Sequence, residues 1–334
     1  VVPGARTWRA LVRLWLRIHF ACGVLAVVVA PPLAAAELEG HGAIVNGLTV
    51  SPDGTQALSA SWDYTARLWD LSTGQTLRVL NGHVASVNDV VFLPDGRRGI
   101  TGSWDHSAVL WNLEDGTEIR RFEGHVNNIA GIALSRDGAM LATASWDHSV
   151  KLWDVESGEL LHSLEGHTAN VMAVVFSPDG KRLYSAGYDW TIRVWDPMDG
   201  VELNQFEGHE NSVNDLAISQ DGRWLLSACT DETLRLWDTS TGKTLRTLAG
   251  HEGFVAAVAM APDGKTAISG GMDTTVRHWD LETGEEIGRF TGHAEPVWAV
   301  AITPDGKRAL SAGHGTVIKV WSLDDYAETL AGAE

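Results

Sequence analysis

An all-β fold built from seven copies of one unit is what this sequence predicts. Gly-His recurs at 40–41, 82–83, 124–125, 166–167, 208–209, 250–251 and 292–293, each step 42 residues with no insertion or deletion. A tryptophan returns on the same period: Trp69, Trp111, Trp153, Trp195, Trp237, Trp279 and Trp321. Between these marks lie short apolar runs punctuated by turn residues, with hardly any helical spacing.

The unit from Gly82 to Glu123 shows the elements in order. VNDVVFLPDG (87–96) is an apolar strand ending in a Pro-Asp-Gly turn. RRGITGSWDHS (97–107) is a short strand entering a turn around an Asp. AVLWNLEDG (108–116) is a third strand stopped by Gly, and TEIRRFEGH (117–125) a fourth that leads to the next Gly-His. The units are 40–81, 82–123, 124–165, 166–207, 208–249, 250–291 and 292–333. With 334 residues and 44% hydrophobic content the chain has ample material for a core. One four-stranded sheet cannot cover both of its own faces, so the units must stack on one another.

Repeats of this length with Gly-His and Trp-Asp signatures resemble the WD40 family, over residues 40–333. The resemblance implies a seven-bladed β-propeller of four-stranded antiparallel blades, a single domain over residues 37–334. Such a ring has to close. In this family the strand before the first Gly-His often completes the last blade. Here that segment is Ala34–Glu39, with Leu38 where other units have Leu or Phe. Signal cleavage would shorten it, so we expect the C-terminal strand, Tyr326–Leu330, to close blade seven.

Residues 1–36 stand apart from the repeats. They carry Arg6, Arg9, Arg13 and Arg17, no Asp or Glu, an apolar run from Phe20 to Ala30, and a small-residue site ending at Ala36. That pattern describes a secretory signal peptide cleaved after Ala36, and hence a periplasmic or secreted bacterial protein with no membrane attachment after cleavage. The alternative is an uncleaved N-terminal anchor facing the periplasm, although the apolar run is shorter than the roughly 20 residues a span needs. Cleavage removes Cys22 and leaves Cys229 without an internal disulfide partner. It also takes four of the 25 basic residues, leaving 21 against 43 acidic ones, a net −22. Such a balance argues against nucleic acid, whose binding rests on neutralising phosphates with Lys and Arg.

Four residue types recur in phase. They are His41, Ser59, Asp63 and Trp69; His83, Thr101, Asp105 and Trp111; His125, Thr143, Asp147 and Trp153; His167, Ser185, Asp189 and Trp195; His209, Ser227, Asp231 and Trp237; His251, Ser269, Asp273 and Trp279. The seventh unit has His293, Ser311 and Trp321, but Gly315 in place of the Asp. Ser, His and Asp together suggest a hydrolase, yet a set present in every unit is not an active site. The resemblance implies instead a buried chain from Trp through hydroxyl and His to Asp, a structural tetrad. No catalytic residue, metal site or cofactor is expected: the remaining histidines sit on separate units, too far apart to share an ion.

The position before the tetrad Asp varies: Trp62, Trp104, Trp146, Tyr188, Thr230, Met272, His314. The position after it carries Tyr64, His106, His148 and Trp190 in the first four units. In WD40 proteins these turns border the face that most often binds partners, so the resemblance implies a binding arc on units one to four, to which Phe254 and Trp298 add. Half exposed, Trp62, Trp104, Trp146 and Tyr188 would offer roughly 400 Å², the size of patch that is often functional. The expected activity is a non-catalytic scaffold that binds a protein or peptide. The alternatives are a small molecule or carbohydrate on the arc or in the central channel, and an enzyme built on the non-repeating Glu232, Glu252, Glu295 and His314.

Overall fold

A computed structural model describes residues 36–324. The signal-peptide reading, apart from Ala36, and the segment Tyr326–Leu330 lie outside those residues. A three-residue strand, β1 (Ala36–Leu38), precedes the first blade. Blade one is β2–β5 (Val45–Val50, Gln56–Ser61, Thr65–Asp70, Thr76–Asn81). Blade two is β6–β9 (Val87–Phe92, Arg98–Ser103, Ser107–Asn112, Glu118–Glu123) and blade three β10–β13 (Ile129–Leu134, Met140–Ser145, Ser149–Asp154, Leu160–Glu165). Blade four is β14–β17 (Val171–Phe176, Leu183–Gly187, Ile192–Asp196, Val201–Phe206) and blade five β18–β21 (Val213–Ile218, Trp224–Cys229, Thr233–Asp238, Thr244–Ala249). Blade six is β22–β25 (Val255–Met260, Thr266–Gly271, Val276–Asp280, Glu286–Phe290); blade seven has β26–β28 (Val297–Ile302, Arg308–Gly313, Ile318–Ser322) and takes β1 as its fourth strand. Every pairing is antiparallel between neighbours in sequence, except β1 with β28. The inner strands β2, β6, β10, β14, β18, β22 and β26 pack side by side in a closed ring, β26 returning to β2. This is the seven-bladed propeller that the resemblance implies.

Blade seven closes from the N-terminus, which corrects the expectation that Tyr326–Leu330 would do so. Ala36, Glu37 and Leu38 pair with Val320, Lys319 and Ile318. Each outer strand buries one large apolar residue near its end: Leu80, Phe122, Leu164, Phe206, Leu248 and Phe290. Leu38, 1% exposed, is the seventh of that set. It packs in a cluster that joins Leu310 and Ile318 of blade seven to Val45 and Trp69 of blade one, and Glu37 pairs with Lys319. Strand β1 runs directly into Gly40-His41, so the loop that pins every other outer strand pins it too. Three residues therefore suffice.

The second strand of each blade is buried on both faces, whereas the outer strand is mostly exposed. Between blades, the tetrad Trp of one packs among apolar residues of the blade before, as Trp111 does with Leu58, Leu68 and Leu80. Burying a side chain of that size contributes about 2–3 kcal/mol. All seven inner strands carry a β-bulge just after their first residue, where the register skips one position. Bulges re-aim the extra side chain. Here the bulged residues, among them Asn46, Asn88, Met172, Asn214 and Trp298, line the axial cavity. Packing of adjacent inner strands is close enough that a Cβ on Gly47 would lie 2.8 Å from the Asp89 backbone.

Candidate functional site

The tetrads assemble as one hydrogen-bond chain per blade. In blade three the Trp153 indole N–H donates to Thr143 Oγ1 over 2.9 Å, Thr143 Oγ1 lies 2.7 Å from His125 Nε2, and His125 Nδ1 lies 2.7 Å from Asp147. An ionised carboxylate only accepts, so Nδ1 carries a proton and donates to Asp147. Blades one, two, four, five and six repeat this with matching distances. Asp147 also accepts from Val126 N, Ser149 N and the Ser149 hydroxyl. One carboxylate thereby fixes both the Gly-His loop and its own turn. Burial pushes these carboxyls up, but the hydrogen bonds from His, from the Ser or Thr two residues on, and from the loop backbone win, and hold all six well below the usual carboxylate range. Blade seven keeps Trp321 to Ser311 at 2.7 Å and Ser311 to His293 at 2.7 Å, with Gly315 where the carboxylate would be. Burial, and then the Lys319 charge, depress the His293 ring to about 4.

The Asp turn sets the neighbouring face. In six blades the residue after the Asp is left-handed, from φ 64° at Thr274 to 71° at His106 and His148. The residue before the Asp donates its backbone N–H to the Gly-His loop, as Trp62 N does to Ile44 O at 2.9 Å and Tyr188 N to Asn170 O at 2.8 Å. These side chains therefore stand on the same end of the propeller as the loops. Trp62, Trp104 and Trp146 form a continuous row of tilted ring contacts across blades one to three, with ring centroids 4.9 and 5.4 Å apart and planes inclined by 49° and 48°. The three rings are half-buried and their indole N–H groups are enclosed without an acceptor. Tyr64, Tyr188 and Trp190 are far more open, at 52%, 43% and 51%, and His106 and His148 are exposed beside them. Phe254 and Trp298 meet edge to face on the far side, where Trp298 also stacks on His314 at 5.5 Å.

Sequence reasoning singled out Glu252 but missed the other residues directly after the Gly-His motif. Val84 and Val126 are each 81% exposed, next to the turns of Trp104 and Trp146. The equivalent positions in blades five and six are the exposed Glu210 and Glu252, with Glu232 on the turn of blade five. The face is thus apolar over blades one to four and acidic over five and six. In-phase comparison of the seven copies at that position was the available signal. Glu232, Glu252, Glu295 and His314 are exposed on three different blades rather than gathered at one point. His209, Cys229 and Asp231 lie within 4.8 Å of one another, close enough to share an ion. Their atoms are already engaged, however. His209 bonds Ser227 and Asp231. Cys229 donates to Asn211 O and accepts from Asp231 N, at 3.3 Å each, and burial pushes its thiol up to about 12. The thiol does the work of Ser61 and Ser103 in other blades.

Closed ring, in-phase tetrads and turn face together define a repeat propeller. The chain belongs to the WD40 family: the model of the WD domain, G-beta repeat, matches residues 34–70, 74–112, 116–154, 158–196, 200–238, 242–280 and 284–322. Each match begins at the outer strand of one blade and ends with the third strand of the next, the stagger that β1 completes. The chain is 63% identical over 38 residues to the small ribosomal subunit protein RACK1 of Candida albicans, 11% of this chain and 12% of that protein. It is 58% identical over 41 residues to MST50-interacting protein 11 of Pyricularia oryzae and 56% over 41 residues to cross-pathway control WD-repeat protein 2 of Flammulina velutipes. These alignments span 12% of this chain and 13% of each of those two proteins.

Proposed function

We propose that this propeller is a non-catalytic platform that binds a protein or peptide across the Asp-turn face. The carrying observation is the open apolar surface of blades one to four, where Val84, Val126, Tyr64, Tyr188 and Trp190 flank the Trp62–Trp104–Trp146 row. Tyr and Trp are favoured binding anchors. Glu210, Glu232 and Glu252 at the edge of the patch favour a partner that adds Lys or Arg to its apolar contact. One relative is named as an interacting protein and another as part of a ribosomal subunit, in keeping with a platform role. The Ser–His–Asp sets support the non-catalytic reading, since each hydroxyl also accepts from a buried indole. Val84→Glu/Val126→Glu tests the proposal. At such exposed sites stability should change by under about 0.5 kcal/mol. A partner captured by the wild type from whole-cell extract should be lost by the variant; undiminished capture contradicts the reading.

We further propose export, in the bacterial periplasm or beyond, with cleavage after Ala36. That cut leaves Glu37 and the buried Leu38 to complete β1. N-terminal sequencing of the protein from fractionated cells tests this. The expected first residue is Glu37 in the exported fraction; protein that begins upstream and stays in the cytosol overturns it.

A further inference from the structure

An axial cavity of about 670 Å³ runs between the inner strands, and Tyr188, Thr230, Phe254 and Trp298 at its wall place it beneath the Asp-turn face. Its volume falls in the range of small-ligand sites. One position beyond the bulge, five blades present Gly or Ala to this cavity, while blades two and five present Asp89 and Asp215. Each carboxylate latches two blades together: Asp89 accepts from Ile132 N and Asp215 from Val258 N, both at 2.8 Å. Among the described residues no Lys, Arg or His lines the cavity. Two carboxylates therefore line one cavity without a basic side chain beside them.

We propose that this channel binds an organic cation, an ammonium or guanidinium group held between Asp89 and Asp215 and entering past Tyr188, Phe254 and Trp298. The inference does not rest on the row of Trp62, Trp104 and Trp146, which lies outside the cavity. The missing positive charge and the aromatic mouth both ask for a cation that donates hydrogen bonds and tolerates ring faces. A metal ion fits less well. Every oxygen of both carboxylates already accepts a backbone N–H. Nor is either Asp in the one cluster of three or more His, Cys, Asp or Glu groups found among the described residues. Burial drives the Asp215 carboxyl up to about 7 and Asp89 to about 6, and the nearby Asp89 charge adds to the rise at Asp215. An incoming cation would relieve that cost. The cation can be a free amine or the side chain of a bound peptide.

Calorimetric titration at low salt with putrescine, with agmatine and with a short lysine peptide separates the two sources, and 1,4-butanediol is the uncharged control. The expected result is one ligand per chain for an amine or for the peptide, none for butanediol, and at least about tenfold weaker binding in Asp89→Asn and Asp215→Asn. Binding of the peptide alone assigns the site to a partner's basic side chain. Should the variants fold poorly, the contrast between amine and diol on the wild type still decides. No binding by any cation, equal binding by butanediol, or unchanged affinity in both folded variants overturns the proposal. The Val84→Glu/Val126→Glu variant should bind the free amine normally, so failure of the face reading and failure of this one are told apart.

Discussion

Thr143 stands between the Trp153 indole N–H, from which it accepts, and Nε2 of His125, and it is the side-chain partner of both atoms. Replacing it with Val, nearly the same shape, should strand both. Each orphaned buried group costs about 1–3 kcal/mol, so Thr143→Val should lose about 2–4 kcal/mol in urea unfolding. Cys229→Ser should change stability by less than about 1 kcal/mol, because Ser103 already makes the equivalent bonds in blade two. The six tetrad carboxyls, held low in the fold, stabilise it above their ordinary pKa near 3.8, and that contribution is lost as pH falls below it. Which hydroxyl belongs to the tetrad was legible in the sequence, since one Ser or Thr position never varies across seven copies while its neighbour becomes Gly or Cys. How Trp62, Trp104 and Trp146 lean on one another was not legible, because side-chain direction at a turn depends on the blade next door.

At the scale of the strand and turn, blade seven is the exception on both counts. Its turn lacks the carboxylate, and its outer strand comes from the other end of the chain. A Cβ on Gly315 would meet nothing within 4 Å, and the residue is not left-handed. Gly315→Asp should therefore supply the missing acceptor and raise stability by about 1 kcal/mol, a melting shift of about 2 °C. The pH dependence gives a sharper test. With His293 depressed to about 4, the unfolded chain binds a proton that the fold refuses, so stability falls as pH drops from about 6.5 to about 4. Gly315→Asp should flatten that limb by up to one proton; an unaltered slope means the new carboxylate does not reach the ring. Leu38→Ala should cost about 2–4 kcal/mol and expose β28 first to hydrogen exchange. The closing strand was hard to read because three residues with one apolar contact carry almost no periodic signal. What fixes β1 is its continuity with the Gly40-His41 loop, a property of the stagger rather than of its own composition.

As a whole molecule, the propeller carries an apolar sector, an acidic sector and the mouth of an axial cavity on one end. Seven units, their four strands and the tetrad positions could be read from spacing alone, since exact repetition repeats its own evidence. The acidic sector and the two channel carboxylates were harder. They interrupt the repeat one residue at a time, and their meaning depends on which blades stand next to or across from each other. Photocrosslinking tests the central claim most directly. A benzophenone amino acid is placed in turn at Val84 and Val126 on the Asp-turn face, and at Asp179, an exposed turn residue between the first two strands of blade four, and each protein is irradiated in extract from the source organism. The account predicts one common adduct from Val84 and Val126 and none from Asp179. Adducts from Asp179 alone, or none from the Val84 and Val126 sites while the native protein still captures a partner, would contradict it.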